Sequence, residues 1–134
     1  MYVVSSLSPD LSLVLGTERG MAGIGSRAAI LDIETREQHY FLEDYTIYQS
    51  EWISDGVVVF NAGGWKREED RYSSIEDHHA IKLYSLESGL ITLAEDDERL
   101  FLLGVADGEV HYLKTADDAS LWVWQTKELE SEYE

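Results

Sequence analysis

The sequence has no cysteine, one proline, one asparagine and only 10 basic residues set against 27 acidic ones. Without cysteine there is no disulfide framework, no thiolate nucleophile and no zinc site built on sulfur. The lone asparagine, Asn61, lies in no glycosylation sequon. No apolar run approaches the ~20 residues with which a helix crosses a bilayer. The N-terminal stretch MYVVSSLSPD has no basic segment ahead of an apolar one, as a secretory signal would. These absences lead to the expectation of a soluble cytoplasmic protein. The shortage of Lys and Arg, with a net charge of −17, argues against nucleic acid, whose phosphates need clustered cations. It argues against anionic membrane surfaces for the same reason.

Catalytic signatures are also missing. There is no G-x-S-x-G elbow, no H-E-x-x-H pair and no EF-hand loop. The histidines are His39, His78, His79 and His111. His78 and His79 follow Glu76-Asp77, but neighbouring strand residues point to opposite faces, which works against joint ligation. Gly20, Gly23 and Gly25 lack the spacing of a dinucleotide fingerprint, and no helical pattern follows them. We therefore expect no metal, no cofactor and no enzymatic activity. Acid pairs such as Asp96-Asp97 could act as general acid and base only inside a cleft that shifts their pKa values.

What is present is a recurring pattern. Residue content is 44% hydrophobic over 134 residues, enough for one domain with a real core. The apolar residues fall in short runs bounded by Gly, Asp and Ser, which is a strand signature. An Asp-centred turn followed by a strand, a loop and a second strand occurs three times. The turns are Ser8-Pro9-Asp10, Ser54-Asp55-Gly56 and Ala106-Asp107-Gly108. Repetition at roughly 40–50 residues indicates stacked β units. The expected fold is all-β, with about eleven short antiparallel strands. The single domain spans 1–134, with units 1–44, 45–97 and 98–127 and an acidic tail 128–134. The expected strands are Tyr2 to Leu7, Leu11 to Thr17, Ala28 to Thr35 and Gln38 to Leu42, then Tyr45 to Ile53, Val57 to Ala62, Ala80 to Leu86 and Leu90 to Ala94. The third unit contributes Arg99 to Val105, Glu109 to Thr115 and Leu121 to Thr126. The tail, KELESEYE, reads as a frayed edge strand, a short helix or a disordered end. Residues Glu18 to Arg27 read as a mobile turn, and Gly63 to His79 as a long contact loop.

The order of strand, Ser8-Pro9-Asp10 turn, strand, loop, Glu34-Thr35-Arg36 turn and strand resembles one blade of a β-propeller of the WD-repeat type. Ser54-Asp55-Gly56 with Glu87-Ser88-Gly89 resembles a second blade, and Ala106-Asp107-Gly108 with Thr126-Lys127-Glu128 a third. Three blades leave terminal faces open, whereas propellers typically close with more. The runs Val57-Val58-Val59-Phe60 and Leu121-Trp122-Val123-Trp124 suggest sheets buried on both sides. The units therefore form a β-sandwich or partly open barrel, or a propeller-like fan that two chains complete as a homodimer.

In an up-and-down unit, the loop between the second and third strands shares an end with the connection to the next unit. Glu43-Asp44 and Glu95-Asp96-Asp97-Glu98 fall in such connections. Glu68-Glu69-Asp70, Glu76-Asp77 and Asp117-Asp118 fall in such loops. The acids thus gather at one end, where they form either a solvated rim, partly neutralised by Lys66, Arg67, Arg71 and Arg99, or a negative face for a cationic partner. The candidate partner-binding residues are Trp65, Glu68, Glu69, Asp70, Glu76, Asp77, Asp96, Asp97, Glu98, Asp117 and Asp118. Trp52, Trp65, Tyr45 and Tyr72 are candidate aromatic anchors.

Small, acidic, cysteine-free domains of this kind are similar in composition to bacterial immunity proteins, which occlude the phosphate-binding site of cationic nuclease toxins. That similarity implies a binding module that neutralises a basic protein, such as a toxin domain. The alternatives are a self-associating propeller-like scaffold and a small-molecule enzyme or binder.

Overall fold

The computed structural model describes residues 2–18, 27–43, 46–68, 71–96, 99–115, 121–130 and 133. It contains eleven strands: β1 (Tyr2–Leu7), β2 (Leu13–Glu18), β3 (Arg27–Asp32), β4 (Gln38–Glu43), β5 (Thr46–Ser54), β6 (Val57–Glu68), β7 (Arg71–Ser85), β8 (Gly89–Asp96), β9 (Leu100–Ala106), β10 (Glu109–Thr115) and β11 (Trp122–Glu128). They form three antiparallel sheets of four, four and three strands, and in each sheet the spatial order follows the chain. The described residues contain no closed barrel, and none of their helices is long and apolar enough to cross a membrane.

Turn chemistry sets the strand ends. Leu11 has φ 65°, a left-handed turn conformation, so β2 starts at Leu13 rather than at the expected Leu11. Asp10 Oδ1 accepts hydrogen bonds from Ser12 N at 3.0 Å, Ser12 Oγ at 2.6 Å and Ser8 Oγ at 2.8 Å. These bonds, those from Ser12 foremost, hold the Asp10 carboxyl below its ordinary range. Asp32 Oδ1 accepts from Glu34 N and Thr35 N, which ends β3 at Asp32 instead of carrying it to Thr35. Asp107 and Gly108 both have positive φ, 53° and 74°, as a two-residue hairpin with the sheet's own twist requires.

The sheets stack face to face. Period-2 alternation sends Val58, Phe60 and Ala62 of β6 toward the first sheet, where they join Leu15, Ala28 and Ile30. Val59, Ile81 and Leu83 face the third sheet and join Leu100, Leu102 and Val110. The middle sheet is thereby buried on both faces. Phe41 stacks on Tyr84 at 4.2 Å and meets Phe60 edge-on at 5.7 Å, closing the first layer. Asn61 is buried between the middle and third sheets. Its Nδ2 donates to Ala80 O at 3.3 Å, and its Oδ1 accepts from Leu102 N at 3.1 Å.

Three expectations are corrected. The segment Gly63 to His79 is not a loop: β6 and β7 run on through it, pairing Gly64 with Ile75, Trp65 with Ser74 and Glu68 with Arg71. Its glycines and charges hid a strand signal that cross-strand pairing supplies. The tail is not a disordered end at its described positions: Lys127 and Glu128 finish the edge strand β11, and the residues after them dock. Leu129 N donates to Gly108 O at 2.8 Å, and Leu129 and Tyr133 are buried in the second core layer. The hydrophobic residues spaced along the acidic tail are what dock it. Finally, Leu121-Trp122-Val123-Trp124 is not buried on both sides; all four residues are exposed, because they lie on or directly before an edge strand that the described residues leave uncovered on both faces.

Candidate functional site

The three leading strands lie side by side, β1 against β5 and β5 against β9. Each loses register along its length, β1 and β9 once and β5 twice, the second time at Ile53 between Trp52 and Ser54. β1 carries Ser5 as an extra residue between Val4 and Ser6. β5 carries Tyr48 between Ile47 and Gln49. β9 carries Leu103 between Leu102 and Gly104. Bulges re-aim side chains and are enriched beside functional sites. Here the three bulged residues converge. Ser5, Tyr48 and Leu103 line one cleft of about 470 Å³, together with Gln49, Ser50, Glu51, Leu102 and Gly104. Its volume falls in the range of about 300–1,000 Å³ typical of small-molecule sites.

The cleft is rich in hydrogen-bond acceptors. Ser50 Oγ shares hydrogen bonds with Ser5 Oγ at 2.8 Å and Ser6 Oγ at 2.6 Å. Trp52 Nε1 donates to Ser6 Oγ at 3.0 Å, fixing that chain of hydroxyls from below. Glu51 Oε2 accepts from Val105 N at 2.6 Å. Gly104 makes that bond possible: a Cβ there would sit 2.8 Å from Glu51 Oε2. The Gln49 Oε1 atom is buried and has no hydrogen-bond partner among the described residues. Among the described residues the lining holds no lysine, arginine or histidine. The set is suited to receiving hydrogen-bond donors and positive charge.

A second surface adjoins it. The outer face of the third sheet exposes Phe101, Leu103, Trp122 and Trp124. Phe101 meets Trp122 edge-on at 6.5 Å. Trp124 stacks on His111 at 5.5 Å and donates from Nε1 to His111 Nδ1 at 3.2 Å. Leu103 belongs both to this face and to the cleft wall, so the two are continuous. On the first sheet, Arg27 pairs with Glu18 at 2.6 Å and lies over the Tyr40 ring at 3.9 Å. The Tyr40 hydroxyl and then Arg27 hold the Glu18 carboxyl below its ordinary range.

The residues singled out from sequence are placed as follows. Trp65 and Glu68 stand on β6, opposite Ser74 and Arg71. Glu76 and Asp77 stand on β7 where its register with β6 shifts, between Ile75 and His79. Asp96 ends β8 and pairs with His79. Glu69, Asp70, Asp97, Glu98, Asp117 and Asp118 lie outside the described residues. None of the singled-out residues that the structure describes is among the residues lining the cleft. No group of His, Asp and Glu among the described residues could hold a metal ion.

Sequence reasoning missed the cleft. Two signals pointed toward it. Gly104 interrupts an apolar strand, as a bulge or a close backbone approach does. Ser5-Ser6 and Ser50-Glu51 likewise put polar residues inside leading strands. No protein-family model matches this chain, and no curated protein matches its sequence.

Proposed function

We propose that this chain is an acidic protein-binding module that neutralises a basic partner by covering its active surface, as an immunity or inhibitor protein does against a cationic, nuclease-type toxin. The observation that carries the reading is an exposed aromatic face, built on Phe101, Trp122 and Trp124, in a chain of net charge −17. Exposed clustered aromatics mark protein contact surfaces and supply most of their binding energy. The acidic field accelerates encounter with a cationic protein and selects against anionic ones. Glu68 and Asp96, which end β6 and β8, belong to the acidic set that would steer the partner. The absence of cysteine suits action in a reducing cytoplasm.

The test is capture of a partner from the source cell by the purified chain, followed by purification of the captured protein and assay of its activity. The reading expects a basic protein, released by salt and silenced at one equivalent. A captured protein that is acidic, or that stays fully active when saturated, overturns it. Trp124→Glu should abolish capture.

A second reading is favoured by one observation. The third sheet has three strands where the others have four, and its edge strand β11 is exposed along its whole length. Such an edge invites strand addition by a second copy. This self-associating scaffold expects a dimeric mass by light scattering without any partner, and a monomeric mass for Trp122→Glu. A monomeric wild-type chain removes it.

A further inference from the structure

The cleft at the junction of the leading strands has a chemistry of its own, and what it could hold deepens the basic-partner reading and rests on it. Its lining includes Glu51, Gln49, the hydroxyl-bearing Ser5 and Ser50, the aromatic Tyr48 and the exposed apolar Leu103, and the Gln49 Oε1 atom is buried without a partner among the described residues. We propose that this cleft receives an arginine side chain of the basic partner. A guanidinium presents several N–H donors in a planar fork and stacks on aromatic rings, and its aliphatic stem lies well on apolar walls. A compact ammonium donates its three hydrogen bonds from a single, strongly hydrated nitrogen, so it lacks the planar fork that spans a spread of carbonyl, carboxylate and hydroxyl oxygens and costs more to desolvate. Tyr48 has its ring tilted against His79 at 6.3 Å, yet at 51% exposure it keeps surface on which to meet such a group.

Glu51 is preset for the task. Its Oε2 is tied to Val105 N at 2.6 Å, and the missing Cβ of Gly104 leaves room for it. The carboxylate therefore needs little ordering when the cation arrives, and preorganisation of that kind raises affinity. Gln49 is the second determinant: its Oε1 is buried without a donor among the described residues, which is costly, and a turn of that side chain toward the cleft lets it gain one on binding. Because Leu103 joins the cleft to the aromatic face, one partner surface can bury an apolar patch on Trp122 and Trp124 and insert an arginine beside it.

The test is a titration of the isotope-labelled chain, followed by amide NMR, with four probes: N-acetyl-arginine methylamide, its neutral citrulline counterpart, the lysine counterpart, and agmatine as a free guanidinium compound. The arginine amide should give saturable shifts confined to residues 48–51 and 102–104. The lysine amide should bind more weakly, and the citrulline amide should not bind. Glu51→Gln keeps an acceptor for Val105 N and so keeps the fold, yet should weaken arginine binding roughly tenfold or more through loss of the charge-assisted bond. Glu87→Gln, on a turn outside the cleft, should leave binding unchanged.

Absence of saturable shifts, equal binding of citrulline, or equal weakening by Glu87→Gln overturns the proposal. Binding of agmatine without binding of the arginine amide assigns the cleft to a free small cation and overturns the partner assignment. The parent reading fails separately. A chain that silences a basic protein while ignoring all four probes loses the cleft proposal alone. A chain that binds arginine amide but captures no basic protein keeps the cleft chemistry and loses the parent reading.

Discussion

The middle and third sheets are made of the same kind of up-and-down hairpins, but one is covered on both faces and the other on one. Val57-Val58-Val59-Phe60 and Leu121-Trp122-Val123-Trp124 show the difference most directly. Val58, Val59 and Phe60 are fully buried, while Trp124 is 63% exposed. The first run belongs to a strand flanked by strands on both edges and sheets on both faces. The second belongs to an edge strand whose outer side has no neighbouring sheet. A hydrophobic strand is a demand for cover, and its place in the stack decides whether the chain itself meets that demand. Where it does not, the surplus is left exposed as an apolar surface patch.

The comparison makes its largest prediction at Phe60. Phe60→Ala should cost about 3–5 kcal/mol of unfolding free energy in denaturant titration, through lost burial and a cavity between two sheets. A cost near zero would mean that the middle sheet is not the core. Leu129→Ala comes next. The tail covers the inner face of the third sheet, so this substitution should cost about 2–3 kcal/mol. If it is neutral, the third sheet is held without its tail. Asn61→Ala should cost about 1–3 kcal/mol, because Leu102 N would be left buried without its acceptor. Hydrogen exchange should show Leu102 as the amide that loses most protection. Smallest is Trp124→Ala, expected to change stability by less than about 0.5 kcal/mol while removing partner binding. A loss of stability comparable to that of Phe60→Ala would show that the third sheet's outer face is covered within the chain.

Much of the fold was legible in the order of residues. Gly, Asp and Ser bounded the apolar runs, and every expected strand was found, with ends displaced by local capping such as that of Asp32 and the left-handed Leu11. The β6–β7 extension was not legible, since Gly63-Gly64 and a string of charges carry no clean alternation and pairing across the hairpin must organise them. The buried tail was hidden for a similar reason: Leu129 and Tyr133 sit among glutamates, and only the second core layer distinguishes them from a solvated end. The candidate cleft was less legible still. Its residues come from three units far apart in the chain, and three bulges at matching positions bring them together.

The sequence by itself determined an all-β chain, the turn positions, the threefold repetition and the strong negative charge, because these follow from local propensity, period-2 patterning and counting. Only the tertiary structure decided which apolar runs are core and which are surface, where the tail lies and which polar atoms meet at the leading strands. Those outcomes depend on sheet-to-sheet stacking and on register, and both are set by contacts between residues that no local pattern relates.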